Sequence, residues 1–586
     1  MTIVQIVPLR RLPAHHRWFD YVWNLTQEPR IGQLVTVPFG STEVRGIIWG
    51  IVKHTPNQKL KSVQALLVAD PILTLWQQRV LAHVAKVGYV SLSTALLPVL
   101  PKSLKMGIAT EAGSSEAMRE IPSSRPRTWW YQSRMEALYQ LRDWMVPTAG
   151  EWKLLIVPTI EDGQDLMRLG AEKGTSLPFV HGQMTGPAFR EIYRQVLHGQ
   201  VRNIIGTVRA LSLPFPHQPQ IIIDQEEHPA HRQLQRQPRI DAKTLLQSMH
   251  VPFDVTTPAP SLWWWDEHHP SAPTHEKTRE IGNMGEPKLQ PWISSGLEEL
   301  VERARVEGNH VTAIVPRQGF AHGLRCQDCH TAISCQFCGE FLRLFQRPEG
   351  QLICSHCRRL MTIPTSCPHC HGSRLAFHGL GPERFAGILR ARWPQAKVVL
   401  EPSAEYDILV QTYKIYHWLL GAGRSHLAIV SGDSLLNYPD FAAAERAWQF
   451  LWRLSAAQPS STLLVQTFSP AHDFWQRWVH GDDRAFYQQE RNARRRFHLP
   501  PMTPQWIARY AGPEREKNVG EKIEQLRALN LNGERVSAHV SDGKKAAEKI
   551  IISQLANTAE RASESDWLKL FPPPWQLEGN VQSWSD

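Results

Sequence analysis

Outside residues 326–370 this 586-residue chain has no cysteine at all, although it carries eight. That excludes a disulfide framework stapling the body of the protein. The opening, MTIVQIVPLRRLPAHHRW, lacks the apolar core of a signal peptide, and no run of about 20 apolar residues exists to span a bilayer. The expectation is a protein of the reducing cytoplasm, associated with the nucleoid and without a membrane partner. Also missing is G-x-x-x-x-G-K-[ST], the loop whose glycines bring backbone N–H groups to phosphates while its lysine neutralises their charge. Positive charge, by contrast, is plentiful. Lys and Arg number 65 against 55 Asp and Glu, a formal charge of +10, which favours a polyanionic partner such as nucleic acid. The length suggests several domains, about three to five.

The cysteines form four Cys-x-x-Cys pairs: Cys326/Cys329, Cys335/Cys338, Cys354/Cys357 and Cys367/Cys370. A pair at this spacing can aim both sulfurs at one tetrahedral cation, and two pairs close a four-thiolate site. Four pairs therefore predict two zinc ions. The middle pairs are separated by fifteen residues, the spacing of a zinc ribbon, and give one site of Cys335, Cys338, Cys354 and Cys357. The outer pairs then enclose the other, Cys326, Cys329, Cys367 and Cys370. Four disulfides and iron–sulfur clusters are the competing chemistries. The lack of secretory features argues against the first, and the even pairing against the second. Closed four-thiolate sites leave no open coordination position, so the metal is structural.

Residues 1–53 alternate apolar and polar residues between turn-formers, the pattern of a small β-barrel or sandwich, and LTLWQQRVLAHVAKV follows as a helix. The stretches LPAHHRWFDYVW, GQLVTVPFGSTEVRGIIWGIV and LKSVQALLVADPILT resemble the amino-terminal DNA 3′-end-binding domain of the bacterial replication-restart primosomal protein N′ (PriA) family. The resemblance implies that Phe19, Asp20, Gly40 and Lys61 help form a pocket for a terminal 3′-hydroxyl nucleotide. Such chemistry is reasonable: a carboxylate accepts from a hydroxyl, an aromatic face stacks a base, and a lysine meets a phosphate. Read without the resemblance, Asp20 is an ordinary carboxylate at a strand end. Residues 106–126 form a Ser/Pro-rich linker where the family places a winged-helix domain, for which this chain has too few residues.

From residue 127 to about 290, runs such as KLLIVPT, RNIIGTV and PQIIIDQ alternate with helix-length segments, implying a parallel sheet. The stretch GQVRNIIGTVRALSLPFPHQPQIIIDQEEHPAHRQ resembles the first helicase lobe of the family. Its ATP signature is damaged. RTWWYQSRMEALYQLRDW stands where the phosphate loop belongs and contains no glycine. The acidic motif reads Asp224-Gln225-Glu226-Glu227-His228, with either one residue inserted or the first Glu displaced by Gln. Asp224 and Glu226 could still ligate Mg2+, but with little phosphate to bring it. No catalytic set is assigned beyond this degenerate motif, so the ATP and Mg2+ that the resemblance implies are set against the residues present. Trp263–Trp265 could stack on unpaired bases, though burial is the favoured reading, and residues 266–291 read as an irregular loop.

A second α/β lobe is expected over 291–325 and 371–510, with the cysteine module 326–370 inserted. GFAHGLRCQDCH, CQFCGEFLRLF, LICSHCRRL and SCPHCHGSRLAFHGLGPERF follow the family's cysteine-rich region in order and spacing. The family's final helicase motif is absent: Arg453-Leu454-Ser455-Ala456-Ala457-Gln458-Pro459 stands there, without the arginine that stabilises a transferring phosphoryl group. Arg491, Arg494, Arg495 and Arg496 lie along one helix, either facing phosphate or solvated. Residues 511–586 read as a small C-terminal domain. The expected architecture is thus multidomain α/β: a β-rich DNA-binding domain (1–105), two helicase-like lobes with a two-zinc module, and a C-terminal domain. The resemblance implies a monomeric replication-restart protein that binds forked DNA with a 3′ end. Its other partners would be primosome proteins and the machinery loading the replicative helicase. The damaged motifs make it a scaffold without helicase activity. The alternatives are an active, divergent 3′→5′ helicase and a zinc-ribbon DNA-binding adaptor with no role at forks.

Overall fold

The computed structural model describes residues 2–100 apart from 14–15 and 54–59, and residues 125–315 apart from 233–238, 269–277 and 286–291. It continues over 324–329, 331–336, 342–345, 351–354, 359–377 and 380–510 apart from 404 and 438–439, and then over 515–528, 532–536, 548–553, 571 and 575–578. Most of the expected linker 106–126 and much of the C-terminal domain lie outside these residues.

Five antiparallel strands open the chain: β1 (Thr2–Pro8), β2 (Phe19–Val22), β3 (Leu34–Phe39), β4 (Thr42–Lys53) and β5 (Ala65–Val68), in the order β2-β1-β4-β3-β5. A bridge between Val22 and Ser62 brings the chain just before β5 back to the other edge, curling the sheet into a barrel. The β3–β4 turn is the two residues Gly40 and Ser41, and Gly40 has φ +62°, a backbone state that glycine adopts without strain. Helix α1 (Leu75–Val87) begins at Thr74 in a reciprocal capping box with Gln77. It buries Trp76, Val80, Leu81 and Val84, and the Trp76 indole donates to the Leu211 carbonyl at 2.8 Å. The barrel residues Val7, Leu34 and Ile47 therefore share one apolar cluster with Leu154, Ile204 and Ile221 of the next domain.

That domain is an all-parallel sheet in the order β6-β11-β10-β7-β9-β8. Its strands are β6 (Thr128–Trp130), β7 (Lys153–Ile156), β8 (Phe179–Val180), β9 (Asn203–Gly206), β10 (Gln220–Ile223) and β11 (Asp254–Thr257). The three expected runs KLLI, NIIG and QIII are strands of it, fully or largely buried as parallel strands covered on both faces must be. Helix α2 (Arg134–Trp144) follows β6 after only Tyr131, Gln132 and Ser133, and the Ser133 side chain caps it. Helices α3 (Ile160–Glu172), α4 (Ala242–Ser248) and α5 (Leu262–His268) complete the part used below.

A second all-parallel sheet runs β12-β23-β22-β13-β21-β20. Its edge strand β12 (Arg279–Asn283) lies inside the stretch expected to be an irregular loop. The reading failed because REIGN is short and has polar flanks, yet Arg279 and Gly282 are buried once it pairs with β23 (Leu463–Thr467). Between β13 (His310–Ile314) and β20 (Val398–Val399) comes the cysteine module. It is built from two three-stranded sheets, β14 (Leu324–Cys326), β15 (Ala332–Ile333) and β19 (Leu375–Phe377), and β16 (Leu342–Phe345), β17 (Gln351–Cys354) and β18 (Leu360–Thr362). Strands β21 (Ile408–Gln411) and β22 (Ser425–Ile429) and helices α6 (Tyr416–Gly421), α7 (Ala443–Ala457) and α8 (Asp483–Arg496) complete the lobe. β24 (Gln505–Tyr510) then heads an antiparallel sheet with β25 (Asn532–Val536), β26 (Glu548–Ser553) and β27 (Trp575–Glu578). No helix among the described residues is long and apolar enough to cross a membrane.

The lobes are fastened to each other through α5. The Tyr487 hydroxyl donates to the Pro260 carbonyl at 2.6 Å, the Leu262 N–H donates to Glu445 at 2.8 Å, and Trp265 stacks on Tyr487 with ring centres 5.3 Å apart. Trp264 packs into the first lobe's core and Trp265 into the second's, so burial explains two of the three adjacent tryptophans.

Candidate nucleotide cleft, thiol cluster and DNA-end pocket

Asp224 leaves the carboxyl end of β10, where an open parallel sheet presents its ligand crevice. Its two oxygens are taken by one guanidinium: Arg134 Nη1 reaches Oδ1 and Nη2 reaches Oδ2, both at 2.6 Å, with both side chains fully buried. Arg134 Nη2 also meets Asp162 of α3 at 3.1 Å, and the Tyr131 ring lies 5.8 Å from the guanidinium carbon. Burial opposes the arginine's charge, but the Asp224 carboxylate outweighs it and holds the guanidinium proton more tightly than usual. The Thr256 hydroxyl adds a donor to Asp224 at 2.6 Å, and Gln225 Nε2 donates to Asp162 at 2.9 Å. Arg134 is the first residue of the helix after β6, where a phosphate loop would have placed its lysine and a bound metal.

The rest of the motif is neutralised in the same way. Glu226 is paired with buried Lys243 at 2.7 Å and also accepts from the Ser261 N–H and hydroxyl. Glu227 accepts from Thr257 at 2.9 Å, and burial raises its carboxyl to about 8, opposed by Arg453. His228 caps the turn at 229–231 by accepting from the Ala230 N–H, and burial lowers its pKa well below the ordinary histidine value. The structure thus brings the four acidic-motif residues together around internal partners. Sequence reading missed Arg134 as that partner. The available signal was a basic residue at the head of the helix that stands where the loop should be.

In the cysteine module the sulfurs of Cys326, Cys329, Cys367 and Cys370 all lie within 4.8 Å of one another, a set able to hold a metal ion. The Asp328 N–H donates to Cys326 Sγ and the His369 N–H to Cys367 Sγ, each at 3.4 Å, so the backbone of both knuckles already favours thiolate. Arg374 braces this corner by pairing with Asp328. Cys335 and Cys354 are buried in one apolar cluster with Ile333, Leu342 and Leu352, whereas Cys338 and Cys357 lie outside the described residues.

On the barrel, Lys61 Nζ donates to the Gly40 carbonyl at 3.2 Å, and Phe19 meets Phe39, the neighbour of Gly40, edge to face at 5.2 Å. Phe19, Gly40 and Lys61 are thereby gathered at the β3–β4 turn. Asp20 is exposed and alternates to the other side of β2 from Phe19 and Tyr21. Along α8, Arg494 is buried in ion pairs with Glu445 and Glu490, and Arg491 faces Asp266. Arg494 is therefore neither phosphate-facing nor solvated.

The family model described as the 3'DNA-binding domain (3'BD) of PriA matches residues 6–101, the barrel and α1. The chain is a divergent relative of the PriA family. Replication restart protein PriA of Synechocystis sp. is 24% identical over 428 residues, covering 65% of this chain and 51% of that protein. PriA of Bacillus subtilis is 24% identical over 398 residues, covering 60% and 49%. PriA of Rickettsia conorii is 21% identical over 552 residues, covering 83% and 84%. The match spans about half the length of the first two relatives. A structure of RecG bound to a three-way DNA junction aligns over 70% of this chain and 46% of that chain at 12% identity and a TM-score of 0.29, too loose to bear on the fold.

Proposed function

We propose that the chain is a replication-restart protein that binds forked DNA and scaffolds primosome partners without turning over ATP. The observation that carries the second half is the Arg134–Asp224 pair, in which a fixed cation occupies the place of Mg2+ and of a phosphate-binding lysine. A residue that neutralises Asp224 internally removes the carboxylate on which a nucleotide's metal would sit. The first half rests on the matched 3'DNA-binding domain and on PriA relatives, with Phe19, Asp20, Gly40 and Lys61 as the strand-end pocket and a charge of +10 for phosphate contacts. Two zinc ions are proposed for the module: one on Cys326, Cys329, Cys367 and Cys370, the other on Cys335, Cys338, Cys354 and Cys357. The deciding experiment measures phosphate release by zinc-loaded protein with and without a forked duplex. Release should stay at background. DNA-stimulated turnover that follows the protein through purification would return the reading to an active 3′→5′ helicase. Equal affinity for forked and plain duplex would leave only the zinc-ribbon adaptor.

A further inference from the structure

A cavity of about 290 Å3 opens where the first lobe, the second lobe and the chain leading into β24 meet, and neither Arg134 nor Asp224 lines it. Glu227 lies in its wall with Oε2 held by Thr257, while Oε1 has no hydrogen-bond partner among the described residues although the side chain is only 8% exposed. Burial keeps this carboxyl protonated up to about 8, so at neutral pH it can donate as well as accept. Trp263 also lines the cavity and, unlike Trp264 and Trp265, is only half-buried, which leaves indole surface for a ligand.

The lining is also charged in one sense. Arg232, Lys243, Arg446 and Arg494 face it against the carboxylates Asp241 and Glu445, an excess of two cations (four minus two) once Glu227 is neutral. Lys243 and Arg494 are tied to Glu226 and Glu445, so the excess acts as a positive field over the cavity. A flat aromatic face, a carboxyl group with an unmade hydrogen bond and a positive field together fit a planar heterocycle that carries an anion. The volume is at the small end for a ligand pocket, suiting one such unit.

We propose that this cavity binds one nucleoside monophosphate unit, with its base on Trp263 and hydrogen-bonded to Glu227, and its phosphate toward Arg232 and Arg446. The unit could be supplied as free mononucleotide or as the 5′-phosphorylated end of a DNA strand. The inference goes beyond the fork reading and stands without it. The test is calorimetric titration of the zinc-loaded full chain with dAMP at low salt. Trp263→Leu should weaken dAMP by about tenfold or more, and Trp263→Phe, which keeps a ring, by no more than about threefold. Should the leucine variant fail to fold, Arg446→Gln should weaken dAMP by a comparable factor. Inorganic phosphate should bind at least about tenfold more weakly than dAMP, since it has no base to stack. Competition by a 5′-phosphorylated oligonucleotide would identify the strand end as the source, and its failure to compete would identify free nucleotide. Absence of dAMP binding, phosphate binding as tight as dAMP, or unchanged dAMP affinity in both Trp263→Leu and Arg446→Gln would overturn the proposal.

Discussion

The acidic cluster at the head of the first sheet and the thiol cluster of the inserted module are both sets of side chains that a metal ion could neutralise, yet only the first carries its own counter-charge. Asp224 and Asp162 close on Arg134, and Glu226 closes on Lys243, all inside the protein. The four sulfurs of Cys326, Cys329, Cys367 and Cys370 converge on one another within 4.8 Å. Four thiolates at that separation repel unless a cation sits between them. The difference teaches that an acidic motif in this chain is not by itself a ligand site. A cluster signals a missing ion only where the fold has left its charge unanswered.

The largest effect should come from the thiol side. Elemental analysis in reducing buffer should return two zinc ions per chain. Chelation or Cys367→Ser should unfold the module, because a structural site contributes on the order of 10 kcal/mol to local folding. The rest of the body should keep its melting transition, and less than about one zinc per chain would end the zinc assignment. On the cleft side, Arg134→Ala should cost about 3–5 kcal/mol in denaturant unfolding, because it leaves Asp224 and Asp162 buried and unpaired. A loss below about 1 kcal/mol would mean that the guanidinium is not the counter-ion described.

A smaller effect should appear in the pH dependence of stability. Burial holds the Glu227 proton up to about pH 8 in the folded chain, whereas an ordinary glutamate releases it near 4.5. Between those values the folded state binds the extra proton. The contribution of this group is thus complete below about pH 4.5 and is lost as pH rises toward 8. Glu227→Gln removes the titration. Wild type should lose on the order of 1–3 kcal/mol relative to the variant between pH 5 and 8, read by urea unfolding. Parallel pH profiles would show the carboxyl to be ordinary. The smallest effect on folding is expected at the barrel rim, where Asp20→Ala should shift stability by less than about 0.5 kcal/mol, since the side chain is exposed. It should nonetheless erase a preference for forks ending in a 3′-hydroxyl over those ending in a 3′-phosphate. Equal binding of both forks by wild type would remove Asp20 from the pocket.

What could be read from the sequence followed from how local the cause was. Buried parallel strands announce themselves as unbroken apolar runs, and KLLI, NIIG and QIII were legible for that reason. The nesting of Cys326 and Cys329 with Cys367 and Cys370 could be read because ligand spacing is itself a geometric constraint. REIGN could not, because its burial is conferred by β23, which lies far along the chain. Arg134 was invisible for a similar reason: its partner is 90 residues away, and nothing near RMEALYQLRDW marks one basic residue as buried. Arg494 shows the converse error, since a run of arginines on a helix looks like a charged face until Glu445 arrives from another helix to bury one of them.

The apolar layer shared by the barrel and the first sheet has a mechanical consequence. Val7, Leu34 and Ile47 on one side and Leu154, Ile204 and Ile221 on the other are packed into a single body, with the indole of Trp76 pinned to Leu211 across the seam. Close-packed interiors deform little under load and pass displacement on to their neighbours. A pull on the β3–β4 turn is therefore delivered to the carboxyl ends of the first sheet with almost no slack. From there it passes through the Pro260–Tyr487 clasp into the second lobe. The barrel is less a grip on a flexible tether than the short arm of a stiff lever whose long arm ends in the cysteine module.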